Sequence, residues 1–164
     1  MSRTPATIFL SFSSAFEFMD TVHELTEEIL REAGFGDEDL YWLTVAVREA
    51  ITNAVKHGNR MDPAKRVEAE FAVGAGELRV RVADRGEGFD IDSVPDPRLP
   101  ENLLREKGRG IYYIRTFMDD VRYDILPGRG TTVTMVKRLA TGHGSSGGDG
   151  GGGNGARRAG GDGK

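Results

Sequence analysis

Cysteine is absent from this chain of 164 residues, so neither a disulfide nor a thiolate-bound metal centre can form. Histidine is scarce: His23, His57 and His143 are scattered too widely to suggest zinc, and any metal is expected to be held by oxygen. No apolar run is long enough to span a bilayer, and the N-terminus lacks a basic region followed by an apolar stretch, which points to a cytoplasmic chain. Basic residues are not in excess either. Lys and Arg number 22 against 26 Asp and Glu, and a formal net charge of -4 speaks against a nucleic-acid footprint and for a protein partner. What is there, 38% hydrophobic and 29% charged residues, suffices for one domain with one ordinary core.

Glycine is unevenly spread. It fills 12 of the 24 positions in 141–164, a composition that cannot bury enough apolar surface to offset chain entropy, so this stretch reads as a disordered tail and 4–140 as the folded domain. Within the domain, 6–13 reads as a strand. Ser14 then offers an N-cap with Glu17 as its capping-box partner, for a helix ending near Ala33 at Gly34 or Gly36, with Phe18, Val22, Leu25 and Ile29 as its buried stripe. A second helix starts at Asp37 as N-cap, buries Leu43, Val47, Ala50 and Ala54, and closes at His57-Gly58-Asn59. Strands over 66–73 and 77–83 follow, joined by Gly74-Ala75-Gly76. Residues 89–107, rich in proline and charge, read as a mobile lid with a short helix toward its end. A helix over 111–118 and an antiparallel pair, 121–126 with 131–137, complete the domain. This order predicts an α+β fold: a two-layer sandwich whose mostly antiparallel mixed sheet is covered on one face by helices.

The chemistry-bearing residues lie off the apolar stripes. Glu49 and Asn53 are four apart on the second helix, so a carboxylate and a neutral amide oxygen can point at one spot, suited to a hydrated Mg²⁺ shared with substrate phosphates. Downstream comes a glycine-flanked acidic turn, Asp84-Arg85-Gly86-Glu87-Gly88. Taken singly, each has an ordinary meaning. Glu49 could be a solvated carboxylate paired with Asn53 or Lys56, the turn could merely end a strand, and Gly108 and Gly110 could be plain flexibility at a helix start. His57 reads as a helix-end residue binding terminal carbonyls or phosphate, and Trp42 as packing.

Four segments in order, EAITNAVKHGN, DRGEGFD, KGRGIYYIRTFMD and GRGTTVTM, resemble the nucleotide-binding boxes of the GHKL (histidine-kinase-like) ATPase superfamily, and closely those of its anti-sigma-factor serine/threonine kinases. The resemblance covers nearly all of 4–140. It implies the GHKL sandwich, ATP as substrate and Mg²⁺ as cofactor, with Glu49 as general base and Asn53 as metal ligand. It further implies that Asp84 accepts a hydrogen bond from the adenine amino group, while Gly86 and Gly88 let the backbone approach the ring. Gly108, Arg109 and Gly110 at a helix start, with Lys107, would face phosphate, and Thr131 or Thr132 would lie near the adenine. The partners it implies are a sigma factor and a small anti-sigma-factor antagonist protein that receives the phosphate, with a homodimer as the assembly. Two other activities fit the same boxes: a nucleotide-gated binding module without turnover, and a detached histidine-kinase catalytic domain.

Overall fold

The computed structural model describes residues 5–74, 76–88, 94, 98–99 and 108–139. The expected lid, apart from three of its positions, and the expected glycine-rich tail fall outside them, as does Lys107. Alternating apolar residues produce five strands: β1 (Ala6–Ser13), β2 (Arg66–Gly74), β3 (Glu77–Ala83), β4 (Asp120–Leu126) and β5 (Gly130–Arg138). They form one sheet in the order β1-β2-β3-β5-β4, and all four pairings are antiparallel. Because side chains alternate across a strand, Val67, Ala69 and Phe71 of β2, Leu78, Val80 and Val82 of β3, and Val133 and Met135 of β5 share one buried face. The opposite face is polar, with Glu70 opposite Arg81 in the register and Arg85 reaching Glu68 at 2.9 Å. Such exposed ion pairs contribute little to stability.

Three helices, α1 (Met19–Ala33), α2 (Asp37–Asn53) and α3 (Arg109–Phe117), cover the apolar face. Leu30 of α1, Leu43, Val47 and Ile51 of α2, and Ile114 of α3 are fully buried against Phe71, Val80 and Met135, which makes a single core between the layers. The core lies under α2. That helix packs on both α1 and α3 and runs its C-terminal half across the sheet, so the residues near its end are held by a rigid platform.

The helix boundaries differ from the sequence reading in ways with identifiable causes. Ser14 is not a capping residue: it is fully buried, its amide donates to the Lys65 carbonyl at 3.0 Å, and a short 3₁₀ turn, Phe16–Phe18, intervenes before α1. The late start turns the helix so that Met19, Val22, Thr26, Ile29, Leu30 and Ala33 face inward, while Phe18 and Leu25 stay exposed. Thr26 tolerates burial because its hydroxyl donates to the Val22 carbonyl at 2.7 Å. Asp37 is the first helical residue of α2 rather than its cap, which is Gly36; the acidic run Asp37-Glu38-Asp39 instead complements the positive end of the helix dipole. Trp42, expected to pack, stacks its ring 4.3 Å from that of Phe117 but stays exposed rather than entering the core.

Candidate functional site

The C-terminal end of α2 does not simply stop. Residues Ala54–Gly58 continue it as one wide π turn, and the chain then turns sharply through Arg60 and Met61, both left-handed with φ of 57°. This detour carries His57-Gly58-Asn59 beneath the turn that follows β3, so that the end of α2 and the Asp84 turn face each other. The N-terminus of α3 forms the third side. Gly108, with φ of 97°, supplies a left-handed N-cap that a side chain would strain, and the first turn of α3 begins there with amides that a helix leaves without acceptors one turn back.

Between these elements opens a cleft of about 810 Å³. Glu49, Asn53, Lys56 and His57 line it from α2 and the π turn, Asp84 from the turn after β3, Gly108, Arg109 and Gly110 from the start of α3, and Thr131 from β5. Its floor is apolar, made by Ala50, Val82, Ile114 and Val133. A floor of that kind with polar groups at either end is what a nucleoside phosphate needs: a flat base on the hydrophobic part and phosphates at a helix N-terminus.

At the end of the cleft under β3, Asp84 is held in a fixed direction. Its Oδ1 accepts hydrogen bonds from the Gly86 amide at 2.8 Å and the Thr131 amide at 3.1 Å, and its own amide donates to the Thr131 carbonyl at 2.9 Å. With Oδ1 doubly used, Oδ2 is left to accept from a ligand. Burial raises the pKa of Asp84 above the ordinary carboxylate value, and the amides of Gly86 and Thr131 and the charge of Lys65 oppose that shift. The buried Thr131 hydroxyl has no hydrogen-bond partner within the described residues, a polar atom the cleft leaves for a ligand or a bridging water.

At the other end, Glu49 and Asn53 stand one turn apart and meet the first turn of α3. A Cβ added to Gly110 would lie 2.5 Å from Glu49 Oε2 and 3.4 Å from Asn53 Nδ2, so only glycine lets α3 approach so closely. Glu49 is half-buried, and burial raises its pKa above the usual glutamate range, with the charge of Arg48 pulling the other way. A carboxylate with a raised pKa is a better proton acceptor than an exposed one. A divalent cation beside Asn53 would have one protein oxygen, with phosphates and water supplying the rest, as suits magnesium.

Three residues expected near the nucleotide stand elsewhere. Thr132 neighbours Thr131 on β5 and, by alternation, points to the opposite face of the sheet. Gly86 and Gly88 shape the turn without lining the cleft: Gly86 packs on the Gly58 carbonyl, and Gly88, with φ of 83°, packs on Ile125. Their lack of a Cβ lets the turn pack this closely on Gly58 and Ile125. The sequence reading also missed Tyr123 and Asn59. Tyr123 lines the cleft from β4, and burial pushes its pKa to about 12, so it remains a neutral phenol. Nothing in the pattern of β4 distinguishes Tyr123 from ordinary core.

The fold and the cleft define a class. Residues 12–137 match the model of the histidine kinase-like ATPase domain, and the chain belongs to that family. Within it, the chain is 34% identical over 145 residues to the serine-protein kinase RsbW of Bacillus licheniformis, covering 85% of this chain and 89% of that one. It is 35% identical over 119 residues to serine-protein kinase RsbW of Listeria monocytogenes, covering 68% and 73%. The chain is thus a member of the serine-protein kinase RsbW family. Among solved structures, the crystal structure of the RsbU and RsbW domains of a Mycobacterium tuberculosis protein superposes with a TM-score of 0.59 at 24% identity, over 82% of this chain and 32% of the longer one, which establishes the shared fold.

Proposed function

We propose that this chain is an ATP-dependent protein serine/threonine kinase that acts as an anti-sigma factor in a partner-switching system, transferring the γ-phosphate to a small antagonist protein. The observation that carries the reading is the pairing of half-buried Glu49 with Asn53 against the α3 N-terminus, across an apolar floor from the fixed carboxylate of Asp84. Family membership supports it: the relatives are serine-protein kinases.

In this reading, the adenine lies over Val82, Ile114 and Val133 and donates its amino group to Asp84 Oδ2. Thr131 meets the ring directly or through water. The first amides of α3, with Arg109 and His57, hold the phosphates in the positive field of the helix N-terminus. Asn53 would hold Mg²⁺, whose contribution is neutralisation of phosphate charge. Glu49 takes the proton of the acceptor hydroxyl as its oxygen attacks the γ-phosphorus, and the bond to the β-phosphate oxygen breaks to release ADP. The resting place of that proton is Glu49, whose raised pKa suits it to accept. Among the described residues no helix is long and apolar enough to cross a membrane, and a cytoplasmic homodimer engaging a sigma factor and an antagonist completes the proposal.

The test is capture from a bacterial lysate on the immobilised full chain, with Mg·ATP or Mg·ADP, followed by mass spectrometry of the retained proteins. The expected result is a small protein phosphorylated on serine or threonine with ATP, and a nucleotide-dependent change in retained sigma factor. Absence of nucleotide binding at millimolar concentration by calorimetry would sink the proposal.

A further inference from the structure

Asn59 is a wholly buried polar residue at the end of the π turn, outside every role assigned above. Its Nδ2 donates to the Arg66 carbonyl at the start of β2, at 3.0 Å, and its Oδ1 accepts from the Arg85 amide at 2.8 Å. Its own amide donates to the Ala54 carbonyl at 2.8 Å, which closes the π turn. One carboxamide therefore ties three separate pieces of backbone together: the end of α2, the root of β2 and the peptide directly after Asp84. The packing around it has no slack, because Gly58 sits against the Asp84 carboxylate and Gly86 against the Gly58 carbonyl, each without room for a Cβ.

We infer that Asn59 is the positioning residue for base selectivity: by clamping the Asp84-Arg85 peptide it fixes the direction of the carboxylate that reads the 6-amino group of the purine. The inference rests on the functional reading above and deepens it. Asp84 has two restraints on Oδ1, one from the Gly86 amide within the turn and one from the Thr131 amide on β5, but neither holds the Arg85 peptide that follows it. Asn59 holds that peptide from the buried side, whereas the exposed Arg85–Glu68 ion pair that also ties the turn to β2 contributes little. Without Asn59, the Arg85 amide loses its acceptor and the turn relaxes toward another partner, since a part-buried N–H left unmade is costly. The carboxylate then swings. A swung carboxylate weakens a ligand that donates to it, but it is indifferent to a purine bearing a 6-oxo group and to phosphates held at α3, on the far side of the cleft.

The experiment compares ADP with IDP, which differ in the 6-amino and 6-oxo groups, by calorimetry with Mg²⁺ on the full chain. The native protein is expected to prefer ADP by at least about tenfold, and Asn59→Ala to narrow that preference about tenfold with the IDP affinity nearly unchanged, as loss of one directed hydrogen bond requires. A parallel fall in both affinities, or an unchanged ratio, overturns the inference, because a residue that merely supports the fold has no means of sensing the base. On the native full chain, the Arg85 amide is expected to exchange at least about tenfold more slowly than an unstructured amide, and an unprotected amide contradicts the clamp whether or not the variant folds. A native chain that binds ADP and IDP equally leaves nucleotide binding intact while removing this inference; one that binds neither removes the functional reading and the inference with it.

Discussion

Replacing Asp84 by asparagine inverts one hydrogen bond and spares the others. The Oδ1 of an asparagine can still accept from the Gly86 and Thr131 amides, so the turn keeps both of its restraints. The atom facing the cleft becomes an NH₂, which presents a donor to the donor of an adenine amino group. A hydrogen bond to a charged acceptor contributes about 1.5–3 kcal/mol, and an unmatched buried donor adds about 1–3 kcal/mol of penalty, so a total near 3–4 kcal/mol is expected. That corresponds to a roughly 10²- to 10³-fold rise in the Kd for ADP. Stability without nucleotide should move the other way. Burial disfavours the ionised Asp84, as its raised pKa shows, and a neutral amide escapes that penalty, so the nucleotide-free variant is expected to melt no lower than the native chain. Calorimetric titration with Mg·ADP, paired with thermal melts with and without nucleotide, separates the two effects. A change in Kd below about threefold in a variant that melts like the native chain would refute the assignment of Asp84 as the reader of the base.

Other expectations follow from the same geometry. The acid limb of the phosphotransfer rate should have its midpoint above the ordinary glutamate value, 4.5, because burial raises the pKa of Glu49 and only the ionised form accepts a proton; a rate profile flat through that region argues against it as base. The same shift has a sign for stability: Glu49 binds its proton more tightly when folded, so its contribution is fully present below its unfolded pKa and lost as pH rises through the raised folded one, and Glu49→Gln should flatten that part of the denaturation profile of the nucleotide-free chain. Asn53→Ala should weaken nucleotide binding in Mg²⁺ but hardly in EDTA, a difference that calorimetry in the two buffers reads directly. Phe71→Ala, at a fully buried ring in the centre of β2, should cost about 3–5 kcal/mol by urea denaturation without altering which nucleotide is preferred.

What the sequence disclosed and what it withheld divide along physical lines. Strands were legible because β2 and β3 alternate strictly, and Leu78, Val80 and Val82 face the core as that alternation requires. Glu49 and Asn53 were legible because helical spacing alone puts them on one face, and the glycine boxes because few other residues allow such backbone approaches. Helix starts were less so. Ser14-x-x-Glu17 has the pattern of a capping box, but the demand of the Lys65 carbonyl for the Ser14 amide drew that residue inside and delayed the helix to Met19. Asn59 and Tyr123 were hidden for a different reason. Their partners lie 26 residues away for the Arg85 amide and across the sheet for the cleft, contacts that the π turn and strand order create and no local pattern announces. The choice between Thr131 and Thr132 likewise needed the sheet, since alternation fixes only that one of them faces the cleft.

The role proposed for Glu49 is to drive phosphate transfer to a hydroxyl of a partner protein. It is tested most directly by following labelled γ-phosphate from Mg·ATP onto the captured antagonist protein, with native chain and Glu49→Gln at equal nucleotide saturation. The expected result is an acid-stable label on serine or threonine with the native chain, and a rate about 10²- to 10⁴-fold lower with Glu49→Gln at nearly unchanged ADP affinity. Equal rates from the two chains, or an acid-labile label on histidine, would contradict it.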